Sequence, residues 1–150
     1  MNAQVTVDKN FRRFMVEDDI GQVAEGIQFQ DGRASTREVE GPGKTVTDWD
    51  AVEDIRRNPH WGSSMTVRWV DEDDDVIISS QFRRFVLQRD KDETGVSGPG
   101  QVVEGVQFDD GRVAVRWCAG ELRSYGDWDQ IPDMIGIHGH DGATRVVWVD

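Results

Sequence analysis

The chain has 150 residues, 37% of them hydrophobic, and a formal net charge of −12, enough apolar content for one ordinary domain or two very small ones. That acidity argues against binding to a nucleic-acid backbone or an anionic membrane, because both need a basic surface. No apolar run approaches the roughly 20 residues that span a bilayer, "MNAQVTVDKN" lacks the apolar centre of a secretory signal, and Cys118 is alone, which excludes an internal disulfide and a thiolate-rich zinc site.

In chain order, "QVTVDKNFRRFMV" alternates Val5 and Val7 and continues as an aromatic-rich strand. Phe11 and Phe14 are three apart, which predicts a bulge or bend between them. "VAEGIQFQDGRAST" sets Asp31-Gly32 between two strand-like runs, a hairpin turn. A second turn at "EGPGK" leads to a short strand ending at Trp49. Asp50 then heads "DWDAVEDIRRNP", a helix carrying Val52 and Ile55, N-capped by Asp50 and stopped by Pro59. "NPHWGS" connects it to a last strand, "SMTVRWV".

The same order then repeats. "FRRFMVEDD" at 11–19 returns as "FRRFVLQRD" at 82–90, offset by 71 residues. "QVAEGIQFQDGR", "DWD" and "VRWVD" return as "QVVEGVQFDDGR", "DWD" and "VVWVD", all offset by 79. The difference is an eight-residue insertion inside "DKDETGVSGPG". Residues 1–70 and 76–150 are thus tandem copies, separated by the acidic linker "DEDDD" at 71–75, which should repel itself and stay extended. In the second copy Asp110-Gly111 is the hairpin turn, "CAGEL" the next turn, and Trp128 ends the following strand. "DWDQIPDMIGIHG" has Pro132 in its first turn and Gly136 soon after, which predicts a single helical turn, 3₁₀ in character. "ATRVVWV" closes the copy.

Strand, loop, hairpin, turn, strand, short helix, strand is the order of a mainly β unit. It resembles the SH3-like small barrel in both halves, each of about five strands with one helical turn before the last; an OB-fold fits less well. "VAEGIQFQDGR", "VVEGVQFDDGR" and the terminal "IHGHDGATRVVW" also resemble uncharacterised small proteins of actinobacteria and their phages, which implies an origin and no particular activity.

The duplication acts as a filter on chemistry, because a residue needed by the common fold recurs whereas a chemical site can be confined to one copy. In "IHGHDG", His140 matches His60 of "NPHWGS" and reads as part of a turn; His138 faces Asn58 and is unmatched. Two histidines and Asp141 fall short of the convergent ligands a zinc site needs, so no metal is expected. Cys118 matches Val39, and Ser124 lacks a nucleophile-elbow motif, so no catalytic nucleophile is expected. "TGVSGPGQ" at 94–101 lacks the GK[ST] ending of a phosphate-cradling loop, leaving a flexible insertion or a binding loop of one copy.

The aromatics say more. Trp69 and Trp148 recur in the final strand and read as core, while Trp49 and Trp128, flanked by Asp on both sides, are candidates for an exposed groove of the kind that binds extended peptides. Trp61 and Trp117 do not recur and could broaden such a patch. Arg12-Arg13 and Arg83-Arg84 recur as pairs, either satisfied by the protein's own carboxylates or gripping an anionic partner. The candidate binding residues are therefore Trp49, Trp128, Arg12, Arg13, Arg83, Arg84, Trp61 and His140. The function expected is a non-enzymatic protein-interaction module without cofactor, located in the host cytoplasm or a virion if phage-encoded. The alternative is a phage accessory protein, either a virion component or an acidic anti-defence inhibitor mimicking DNA; a small-ligand or metal-binding protein ranks third.

Overall fold

The computed structural model describes residues 9–39, 45–57, 65–72, 78–89, 100–118, 124–138 and 144–150. The chain divides into two compact units, Lys9–Ile78 and Ser79–Asp150. In the first, β1 (Arg12–Glu17), β2 (Gln22–Gln28), β3 (Ala34–Glu38), β4 (Val46–Trp49) and β5 (Thr66–Trp69) form the sheet, with α1 (Val52–Arg56) between the last two strands. In the second, β6 (Arg83–Arg89), β7 (Gly100–Gln107), β8 (Val113–Trp117) and β9 (Tyr125–Trp128) are followed by α2 (Ile131–His138) and β10 (Thr144–Trp148). Each sheet is five-stranded, ordered β4-β3-β2-β1-β5 and β10-β6-β7-β8-β9, and every pairing is antiparallel. The second order is the first taken from the other edge, so the duplication extends to strand pairing. The fold is mainly β, with a short helix before the final strand of each copy, as the sequence pattern predicts.

Both Asp-Gly turns form. Phe29 N–H donates to the Arg33 carbonyl at 2.8 Å and Gly32 N–H to the Phe29 carbonyl at 3.0 Å, with Gly32 at φ 89°. Phe108, Gly111 and Arg112 repeat this at 2.8 and 2.9 Å, with Gly111 at φ 92°. These are three-residue loops in which glycine takes the left-handed position that a side chain would strain. The next hairpins are closed by Glu38 N–H donating to the Thr45 carbonyl and Trp117 N–H to the Ser124 carbonyl. Val5, Val7, Pro59, the turns at 40–44 and 119–123, linker residues 73–75 and insertion residues 94–99 lie outside the described residues.

The bulge expected between Phe11 and Phe14 is displaced. Register shifts instead at Val16/Glu17, and at Leu87/Gln88 in the second copy. The reason is burial on both sides of the strand: β1 buries Arg13, Phe14, Met15 and Val16 in succession. Phe14 joins the core beneath Val52 and Ile55 of α1, while Phe11, just before the strand, stacks on Phe29 with centroids 6.4 Å apart. Each face takes one ring, and alternation needs no interruption. Phe82 and Phe108 repeat the stack at 6.1 Å. In each copy the core phenylalanine lies opposite a glycine, Phe14 across from Gly26 and Phe85 across from Gly105.

The helices differ from expectation in two ways. Ala51, extended and without a side-chain cap, occupies the N-cap of α1, because the Asp50 carboxylate is engaged by Arg33, as Asp129 is by Arg112 at 3.1 Å. And α2 is eight residues long, not a single turn. Ile131, Met134, Ile135 and His138 recur at i, i+3, i+4 and i+7, one face of a helix, and the first three pack on the core. Pro132 sits in the first turn, where its missing N–H has no intrahelical acceptor in any case. Gly136 is exposed, with open space where a Cβ would project, so the apolar stripe carries the helix past it. Gly136→Ala is therefore expected to stabilise the second unit by about 0.5–1 kcal/mol, read as a higher urea midpoint; an unchanged or lowered midpoint would contradict this placement of the helix.

Candidate functional site

The recurring arginine pairs divide their work identically in the two copies. Arg13 Nη2 lies 2.6 Å from Asp71 Oδ1, and Arg13 Nε and backbone N–H also donate to that carboxylate. Arg84 grips Asp150 in the same bidentate way, Nε at 2.9 Å and Nη2 at 2.8 Å, with its backbone N–H at 2.9 Å. Arg12 stacks on Trp69, its guanidinium carbon 3.6 Å from the ring centroid, and Arg83 on Trp148 at 3.8 Å. Arg12 also donates to Glu72. Asp71 and Glu72, read from the sequence as the start of the linker, thus hold the first unit's arginines. Trp69 and Trp148 meet Phe14 and Phe85 edge to face, at 5.5 and 5.6 Å. Each repeat therefore binds its first strand to its last with an ion pair and a cation–aromatic stack, and the bidentate fork of Arg13 and Arg84 is already occupied.

The other tryptophans separate the copies. Trp49 packs against the first core and donates its Nε1–H to Thr36 Oγ1 at 2.9 Å. The position matching Thr36 is Val115 in the second copy, which has no hydroxyl to offer. There Trp128 instead meets His138 edge to face with centroids 5.3 Å apart, and His138 meets Trp117 in the same way at 5.1 Å. All three side chains are half-buried. β8 carries Trp117 on the face shared with Val113 and Val115, β9 pairs Trp128 with Val113 at the other end of that strand, and the last turn of α2 sets His138 against both rings. Trp117 replaces Glu38 of the first copy, so His138, itself without a counterpart, joins one tryptophan that recurs to one that does not. Indole and imidazole faces of this kind take planar, apolar or cationic groups.

Of the other predicted site residues, Trp61 and His140 lie outside the described residues, as does His60. Among the described residues no group of three or more His, Cys, Asp or Glu could hold a metal ion, and no helix is long and apolar enough to cross a membrane. Cys118 is half-buried with its thiol directed at the Gln101 carbonyl, 4.0 Å away.

Sequence reasoning missed a second recurring charge set. Glu25 pairs in register with Arg37, and Glu104 with Arg116; all four are buried. The repeated Glu of "AEG" and "VEG" was the available signal, masked because a charged residue in a strand ordinarily reads as solvent-facing.

Comparison with known proteins adds one finding. No curated protein and no solved structure gives a significant match. Residues 82–150, the second copy and just under half of the chain, match the family model described as Acb5 phage protein, so the half that carries Trp117, Trp128 and His138 is similar to a family of phage proteins.

Proposed function

We propose that the protein is a phage-encoded accessory protein that acts by binding rather than catalysis, built from two SH3-like barrels and directed at a protein partner in the host cytoplasm or the virion. The barrel reading is supported by a strand order in which the fifth strand returns beside the first and one helix precedes it. The observation that carries the binding reading is the convergence of Trp117 and Trp128 on His138, an aromatic surface where the first copy has Glu38 and Asn58 in place of Trp117 and His138. DNA mimicry receives less support. It needs free carboxylates spaced like phosphates, whereas Asp50, Asp71, Asp129 and Asp150 are all paired with arginine.

The test is retention of a host or virion protein from infected-cell extract by the tagged full chain. Trp117→Ala and Trp128→Ala, with fold checked by circular dichroism, are expected to lower retention about tenfold each, the effect of removing an aromatic anchor. Trp49→Phe in the other copy is expected to leave it unchanged. Equal retention by wild type and both alanine variants overturns the assignment of this surface.

A further inference from the structure

At the end of β6 the second copy carries a buried cation where the first carries a half-buried anion. Asp18 and Arg89 are counterparts in "FRRFMVEDD" and "FRRFVLQRD". Asp18 accepts the Ile20 and Gly21 backbone N–H groups at 2.8 and 2.9 Å, and these bonds hold its carboxyl below the usual range. Arg89 is only 3% exposed. Its Nε donates to Thr144 Oγ1 at 3.3 Å, and its Nη1 is buried with no hydrogen-bond partner. Among the described residues no carboxylate lies within ion-pair distance of it. A guanidinium withdrawn from water without a counter-charge costs several kcal/mol, and a buried donor left unmatched points to an absent acceptor.

The surroundings supply the rest of a receptor. Thr144 lies directly across from Arg89 on β10 and is itself 2% exposed. Its hydroxyl oxygen accepts from Nε, so its own proton can be donated onward. On the opposite side Gly100 pairs with Arg89. Arg89 shares the sheet face of Phe85 and Leu87, one row outward from Leu87, which pairs with Val103, which in turn pairs with Trp117. Two strand spacings, about 10 Å, thus separate its strand from the one bearing Trp117. The corresponding positions of the first copy are Glu17, Asp18 and Glu38, where the second has Gln88, Arg89 and Trp117: three acids are replaced by one cation and two neutral side chains.

We propose that Arg89 and the Thr144 hydroxyl form a receptor for a single oxyanion, the chemistry shared by a carboxylate and a phosphate, with Arg89 Nη1 and Thr144 Oγ1 as donors. The inference does not depend on the identity of a protein partner. The test is thermal unfolding of the full chain in chloride buffer at constant ionic strength, with sodium phosphate or sodium acetate replacing chloride in steps. A saturable rise in Tm of about 5 °C is expected, absent in Arg89→Gln and reduced in Thr144→Val. A rise with phosphate alone assigns a phosphate ligand, one with acetate alone a carboxylate, and both outcomes support the receptor. Equal Tm values in all three salts overturn it, as does an identical rise in Arg89→Gln. Should Arg89→Gln not fold, Thr144→Val and Arg89→Lys decide: an undiminished rise in both overturns the proposal, and a weakened rise in either supports it. Loss of anion response together with retained Trp-dependent capture separates failure of this receptor from failure of the aromatic surface.

Discussion

Replacing Glu104 by leucine should destabilise the second unit by about 3–5 kcal/mol, the cost of leaving a buried partner uncompensated. Glu104 is 4% exposed and Arg116 5%, and the two lie directly across β7 and β8. The Arg116 guanidinium is also 4.6 Å from the Tyr125 ring centroid, a contact that softens its burial without neutralising it. The replacement Glu104→Leu/Arg116→Leu should recover most of the loss, because a hydrophobic pair of similar volume avoids the desolvation of two charges. Urea titration of the four proteins gives the double-mutant cycle. A single-variant loss below about 1 kcal/mol, or a double variant as unstable as the single, would show that this pair does not act as a unit. Glu25 and Arg37 occupy the same register in the first copy and should behave alike.

The second large effect concerns a missing side chain. A Cβ on Gly105 would lie 2.4 Å from Phe85 Cζ and within 3 Å of two further ring atoms. Phe85 cannot retreat: it is fully buried and seated edge to face on Trp148. Gly105→Ala should therefore cost about 1–3 kcal/mol through overpacking, and pairing it with Phe85→Leu should cost less than the sum of the two single changes. Thermal unfolding is the measurement. An alanine variant within about 0.5 kcal/mol of wild type would mean that the ring and the glycine are not in contact. Gly26 and Phe14 form the same seat, with 2.3 Å to Cζ.

Much of the fold was legible because its signals are local and stated twice. Asp-Gly between two strand-like runs marks both hairpins, and the recurrence of "FRR", "EG", "DWD" and "WVD" marks two units with the same order of elements. Single residues mislead where tertiary contacts override their local tendency. Gly136 suggested the end of a helix, yet Met134 and Ile135 bind the helix to the sheet firmly enough to extend it to His138. Asp50 suggested a cap, yet Arg33 holds its carboxylate. The aromatic cluster could be only half seen: Trp117 and Trp128 were each named, but His138 joins them through a helix longer than "MIGIHG" advertises. Arg89 gave no local signal at all, because only tertiary burial distinguishes it from the solvated arginines elsewhere in the chain.

The near identity of β5 and β10 in their pairing edges has a consequence for how the chain assembles. Each last strand must return beside a first strand that left the sheet roughly 50 residues earlier, so closure is the step of largest sequence separation and the slowest to form. While the edges of β1 and β6 wait, "VRWV" and "VVWV" present the same Trp to the same Phe and are competent to dock on either. A tandem repeat of this kind is exposed to strand exchange within and between molecules during refolding. Differences such as Met65 against Thr144, and Asp18 against Arg89, fall at the ends of these strands, where an exchanged pairing would set an acid or a methionine against the wrong partner.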